Sequence, residues 1–376
     1  MGCARRRAGA LLIAMLLVGS GVATATSPAG AQVGPGVFTE TTGPTVAVSG
    51  TYTPIVGDFV GNSDLDDILW YAPGAGQESL WSGSSVPEAP FGRAAVPQLT
   101  GTYQPVVGDF TGDGLDDIIW YGPGTAPDLM WRSSFSGFQS VSISISGTFT
   151  PIVLTNVGRP DSVFWYAPGS ATDWLWTFAL GGARTSAAYQ VNGTFKPFSG
   201  DFDGNRLGDI FWYAPATAPD SRWLRKNASA AASFTSNAES VSGRYTPVVG
   251  QFLEPIGAYS RVKEDIVWAT ASGQDWLWET AFPGWAKRPV DLGGQRVVRL
   301  LDQFGDGIVT VNSGGADQLW RGSTIGGGTN QRIDLSPVAA DARPVVGRFA
   351  DSTQEAVLWY VPGSGAERLW TYYTAP

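Results

Sequence analysis

The stretch GTYQPVVGDFTGDGLDDIIWYGPGTAPDLMWRSSFSGFQSVSIS, residues 101–144, decides the fold. Pro105-Val106-Val107 is a short apolar run suited to a strand near a central axis. From Asp109 to Asp117 the chain is acidic and Gly-rich, which is turn chemistry. Ile118-Ile119-Trp120-Tyr121 has the β-branched and aromatic content of a second strand. Gly122-Pro123-Gly124 opens the next turn, Leu129 to Trp131 reads as a third strand, and Gln139 to Ser146 alternates as an outer fourth. No stretch after the first thirty or so residues has the length and apolar period of a helix.

The same order returns from Gly50, Gly147, Gly193 and Gly243, and in degraded form from Gly294 and Ala342. A tryptophan preceded three residues earlier by a carboxylate marks every copy: Glu78/Trp81, Asp128/Trp131, Asp173/Trp176, Asp220/Trp223, Asp275/Trp278, Asp317/Trp320 and Glu367/Trp370. One supersecondary unit used at a period of about fifty residues is a repeat architecture, and four-stranded propeller blades have this length. The expected fold is all-β, a seven-bladed β-propeller of four-stranded antiparallel blades. The seventh unit stops after its third strand, while a strand-like segment from Phe38 to Ser49 stands before the first unit. The N-terminal strand is therefore expected to complete the last blade and latch the ring.

The repeated aromatics have a structural reading. Blades stack face to face, and large rings at equivalent positions fill the gap between them, each burying ~150–250 Å². The acid before each third-strand tryptophan also serves the repeat, because an Asp at a turn accepts backbone N–H bonds. The competing reading makes these pairs seven equivalent sugar sites.

Residues 1–31 read as an export signal: Arg5 to Arg7, an apolar run from Ala8 to about Val22, then small residues ending Ala29-Gly30-Ala31. The mature chain would start near Gln32, be secreted, and form one propeller over residues 32–376. Cys3, the only cysteine, leaves with the leader, so no disulfide or thiol chemistry is expected. No later segment approaches a membrane span. A monomer that does not cross the membrane is the expected form.

The chain has 24 basic and 33 acidic residues, a net charge of −9, and loss of the leader's arginines makes it more acidic still. Such a surface disfavours nucleic acid, whose binding depends on Lys and Arg. There is no histidine. That excludes Ser-His-Asp and Cys-His catalysis, histidine-ligated zinc and a histidine pH switch.

The turn between the first and second strands varies from unit to unit. Unit two has Asp109, Thr111, Asp113 and Asp117 at loop positions one, three, five and nine; unit four has Asp201, Asp203, Asn205 and Asp209. Oxygen side chains at these positions can converge on a hard cation such as calcium, with the carbonyls of Leu115 and Leu207 as further candidates. Unit one, with Asp58, Asn62, Asp64 and Asp67, carries one extra residue and Val60 at position three. Units three, five and seven lack the ligand pattern. The alternative for units two and four is a metal-free polar turn.

The string G-D-F-x-G-[DN]-x-x-x-D-I-x-W-Y resembles the FG-GAP or VCBS-type repeat of the integrin alpha-chain N-terminal propeller and its secreted bacterial relatives. The resemblance spans essentially residues 32–376, strongest in units one, two and four and weakest in six. It implies a seven-bladed propeller with structural calcium in some first loops. Residue by residue it implicates Asp109, Asp113 and Asp117, then Asp201, Asp203, Asn205 and Asp209, with unit one the weaker match.

The leading functional expectation is a secreted, non-enzymatic binding protein for an extracellular carbohydrate or protein. No unique acid pair stands outside the repeats, and no second domain is appended. A polysaccharide hydrolase or lyase built on the propeller, or an adhesion and interaction scaffold, are the alternatives. Two features off the template, the insertion from Leu253 to Glu264 and the stretch Phe282 to Arg288 with Trp285, are candidate contacts or ordinary packed loops.

Overall fold

The computed structural model describes residues 38–372, except 62–63, 75, 125–126, 216–218, 230, 253–262, 281–283, 294–295, 301–305, 312–315 and 321–331. Residues 1–31, expected to be an export signal, lie outside the described residues, as do Asn62 and most of the Leu253–Glu264 insertion. Seven antiparallel sheets are present; in six the strands follow one another along the chain as a simple meander, and the seventh takes its outer strand from the N-terminal segment. Blade two runs Gln104–Gly108, Asp117–Tyr121, Asp128–Arg132 and Gln139–Ile143, in that spatial order. No helix occurs among the described residues. The first strands of successive blades lie against one another from blade one to blade six, and that of blade seven (Arg343–Gly347) meets that of blade one (Thr53–Gly57), while blades six and seven share a core that includes Val298, Val309, Val357 and Trp359. The fold is a closed seven-bladed β-propeller.

The latch is present. Phe38–Thr42 pairs with Arg368–Tyr372 in register Phe38↔Tyr372 to Thr42↔Arg368, forming the outer strand of blade seven. It is shorter than the Phe38–Ser49 segment, because the chain turns at 43–46. Its packing is aromatic: Phe38 stacks on Trp370 at 5.8 Å, and Trp370 Nε1 donates to Glu40 at 2.9 Å. Blade one departs from the expected four strands. Its sheet has three, and isolated bridges from Leu80 to Ala94 and Gly83 to Phe91 hold the outer place. Blade six keeps four strands without the tryptophan. Thr310 takes that position, fully buried, and its hydroxyl accepts from Trp320 Nε1 at 3.3 Å.

Second strands are buried along their whole length, which is why they read as continuous apolar runs. Their tryptophans form one repeated geometry. Trp120 meets Trp131 edge-on at 5.0 Å within blade two, and Tyr121 meets Trp165 of blade three at 5.2 Å. The series closes with Tyr360 of blade seven against Trp70 of blade one at 5.0 Å. Each buried indole contributes on the order of 5 kcal/mol by area. The aromatics are interblade packing.

The tyrosine hydroxyl adds direction to this packing. Tyr121 donates to the Gly147 carbonyl at 2.8 Å and accepts from the Phe149 N–H at 2.9 Å. Tyr71, Tyr166, Tyr213 and Tyr360 repeat this bond pair on the following blade. The glycine must be a glycine: Gly147 has φ +134°, and a Cβ there would lie 2.8 Å from the Phe149 ring.

Candidate functional site

In four blades the acid of the tryptophan tetrad is consumed structurally, while Glu78 and Glu367 each engage one oxygen, on Leu99 N and Val48 N. Asp173 accepts from Ala167 N at 2.7 Å and Val191 N at 2.6 Å, tying the turn after the second strand to the end of the fourth. Asp128, Asp220 and Asp275 do the same in their blades. Both oxygens are engaged in neutral peptide N–H bonds, so these acids frame the blade.

The first loops are built by two left-handed residues. In blade four, Gly204 (φ +76°) and Arg206 (φ +71°) turn the chain; Gly112 and Gly114 do so in blade two. A non-glycine in this conformation costs on the order of 1 kcal/mol, so Arg206 stores strain where the acids gather. The turn lets Asp201 accept from the N–H groups of Gly204 (2.8 Å), Asn205 (3.1 Å) and Arg206 (2.8 Å). Asp203 accepts from Asn205 N at 3.0 Å. Asp209 spans the loop base, accepting from Phe202 N at 2.8 Å and Arg225 N at 2.7 Å.

This brings oxygens of Asp201, Asp203 and Asp209 within 4.8 Å of one another. Burial pushes the Asp209 carboxyl up to about 8, with Asp203 and Asp201 adding repulsion; burial also raises Asp201. Asn205 turns to local bonds instead, its Oδ1 accepting from Leu207 N at 2.8 Å and its Nδ2 donating to the Arg225 carbonyl at 2.6 Å.

Blade two is looser. Asp109 accepts from Gly112 N (2.6 Å) and Gly114 N (3.0 Å), and Asp113 from Leu115 N (2.9 Å). Asp117 accepts from Phe110, Thr111 and Ser133, each at 2.9 Å. Its three acids do not converge as those of blade four do. The Thr111 hydroxyl is buried and makes no hydrogen bond. Burial pushes Asp117 up to about 7, helped by Asp109 and Asp113. In blade one, Asp58 accepts from Gly61 N at 3.1 Å and Asp67 from Phe59, Val60 and Gly83, while Asp64 is exposed. Carbonyls of Leu115 and Leu207 sit in loops of the same shape.

The residue before the last loop acid is one the sequence reading did not single out. Asp116 Oδ2 accepts from Asp58 N at 3.0 Å, Glu264 from Asp201 N at 2.6 Å, Asp306 from Gln251 N at 2.7 Å and Asp66 from Arg348 N at 2.8 Å. Each reaches back to the loop of the preceding blade. Blade three merges both tasks in Asp161, which accepts from Asn156 N at 2.8 Å and Asp109 N at 3.2 Å. The doubled acids Asp66-Asp67, Asp116-Asp117 and Glu264-Asp265 are the trace of this in sequence. Arg225, fully buried, donates from blade four to Asn156 Oδ1 (3.0 Å) and Ser162 Oγ (3.1 Å) of blade three.

Trp285 lies in a strand rather than a loop. It packs on Phe202 and Trp278 and donates to Glu239 at 3.0 Å, while Lys287 sits 3.6 Å above the Trp278 ring and Arg288 pairs with Glu279. These side chains are spent on packing. Cations also cover Trp81 (Arg93) and Trp176 (Arg184), each at 3.8 Å. Four large apolar side chains are exposed among the described residues: Phe135 (86%, beside Gly61), Leu180 (76%, beside Gly112), Val86 (50%) and Trp174 (38%).

Fold and site together define a seven-bladed β-propeller with an acidic first loop in some blades. The chain matches no family model and no curated protein. Among solved structures it is similar to BBS1N in complex with ARL6DN, in a lead-soaked crystal (TM-score 0.56, 11% identity, covering 91% of this chain and 98% of that one). The mercury-soaked crystal gives 0.54 and 10%, covering 90% and 98%. The exotype rhamnogalacturonan lyase YesX gives 0.46 and 10%, covering 90% and 74%. At these identities the likeness is one of fold.

Proposed function

We propose that this chain is an exported, non-enzymatic binding propeller of the FG-GAP/VCBS type that holds an extracellular protein ligand on its loop face. The 86% exposure of Phe135, a residue type enriched at protein interfaces, carries the reading, with Leu180 exposed on the neighbouring blade. Glycan binding is less supported, because the second-strand tryptophans are buried and three third-strand rings are capped by cations. The propeller of BBS1N, similar in fold, was crystallised with a protein.

Calcium is proposed as a structural ion. The donor set of blade four fits a hard cation: three carboxylates converge, and Asp201 Oδ2, Asp203 Oδ1 and both Asp209 oxygens each accept a single backbone N–H and retain a lone pair. In blade two, the buried unpartnered Thr111 hydroxyl beside Asp109 and Asp117 is the fitting observation. The ion would neutralise carboxylates that otherwise repel, and would take no chemical part.

The experiment is capture of extracellular proteins by the purified chain and by a Phe135→Ser/Leu180→Ser variant, alongside a glycan array and a polysaccharide incubation. Capture lost in the variant at unchanged melting temperature supports the reading. Retention on glycans without protein capture replaces it with a lectin, and new reducing ends or unsaturated products replace it with an enzyme.

A further inference from the structure

Between the outer strands of blades two and three lies a cleft of about 530 Å³, within the range of ~300–1,000 Å³ common for ligand sites. Met130, Ile143 and Phe178 supply an apolar lining, and Arg132 and Arg184 supply charge; no acid lines it. Several described arginines meet carboxylates: Arg299 with Asp306 and Glu355, Arg348 with Asp66, Arg222 with Glu239, Arg368 with Glu40. Arg132 and Arg184 make no such pair among the described residues. The Arg132 Nε is buried without a hydrogen bond, and Arg184 lies 3.8 Å above the Trp176 ring. In a protein of net charge −9, two unpaired guanidinium groups at an apolar cleft select for an anion with an apolar neighbour.

We infer that this cleft binds an acidic peptide segment, one apolar side chain on the Met130, Ile143 and Phe178 lining and flanking carboxylates on Arg132 and Arg184. This rests on the protein-binding reading above and assigns it a ligand chemistry. Two observations favour peptide over acidic sugar. Arg184 already occupies the Trp176 face that a sugar ring would stack on. Ser142 to Ser144 run on from the blade's edge strand, Gln139–Ile143, whose outer backbone edge can pair with an extended chain.

The test is fluorescence anisotropy of the labelled peptide Glu-Leu-Asp-Phe-Glu against its uncharged counterpart Gln-Leu-Asn-Phe-Gln. The intact mature protein should bind the acidic peptide at least about tenfold more tightly, and added salt should erode the difference. Arg132→Gln with Arg184→Gln should abolish the preference, and Arg132→Lys with Arg184→Lys should restore part of it in a folded protein. Arg93→Gln, which uncovers Trp81 in blade one, should leave it intact. Equal affinity for the two peptides, no binding of either, or a preference that survives the double Gln change overturns the inference. Binding of polygalacturonate through these arginines, with the peptides unbound, replaces it with an acidic-sugar site. Protein capture through Phe135 and Leu180 is measured separately, so the cleft can fail while that reading stands.

Discussion

The Tyr360 hydroxyl donates to the Gly50 carbonyl at 3.0 Å, joining residues 310 positions apart and closing the ring. It also accepts from Tyr52 N at 2.8 Å. The same bond pair links blade two to blade three through Tyr121, so the junction between the ends of the chain is built like an internal one.

Tyr360→Phe should therefore cost ~1–3 kcal/mol by leaving a peptide N–H and a carbonyl without their partner. Tyr121→Phe should cost a similar amount, and the double variant should show the sum within about 0.5 kcal/mol, since the two junctions share no partners. Urea unfolding of the three variants checks this. Deleting residues 32–49 is a harsher cut: it uncovers Arg368–Tyr372 as a free edge, and light scattering should report aggregation.

Asp173→Ala should destabilise by ~2–4 kcal/mol, since two buried N–H groups, of Ala167 and Val191, lose their acceptors together. Intrinsic tryptophan fluorescence in a urea titration checks this. A loss of only a few tenths of a kcal/mol would show that these groups find other acceptors.

Chelation should lower the melting temperature, and calcium at a hundredfold its dissociation constant should add ~2.7 kcal/mol per site. Asp203→Asn should remove most of that response, because blade four holds the convergent acids. Asp113→Asn should remove less. The reverse order would place the stronger site in blade two.

In chelator, stability should fall as pH rises. Burial pushes Asp67 and Asp117 up to about 7 and Asp209 up to about 8. A carboxyl that keeps its proton longer in the folded chain stabilises it fully below the ordinary value of 3.8. That stabilisation is lost as pH climbs through 7 to 8, where the folded protein must carry buried charge. Calcium should flatten the upper part of the curve. Melting scans from pH 5 to 9, with and without the ion, separate the two.

Much of the fold was legible because blade signals are local. The apolar first strand, the Gly-rich turn and the Trp-Tyr second strand recur within fifty residues, so strand identity survives even in blade six, where Val309-Thr310-Val311 replaces the aromatics. The loop acids were legible as a group but not by task. Asp116 and Asp117 look equivalent in sequence, yet one accepts from Asp58 of the preceding blade and the other from Phe110 of its own loop.

The sequence by itself determined seven units, their strand order and the unpaired N-terminal segment that closes the ring, because period and turn chemistry act between near neighbours. Only the tertiary structure decided which acids converge, as Asp201, Asp203 and Asp209 do, and which are spent on backbone N–H groups. It also decided that Arg225 is buried against blade three and that Arg132 and Arg184 share a cleft. The acids converge through two left-handed residues within their own loop, whereas the arginine placements depend on residues about fifty to seventy positions apart that the stacking of adjacent blades brings together.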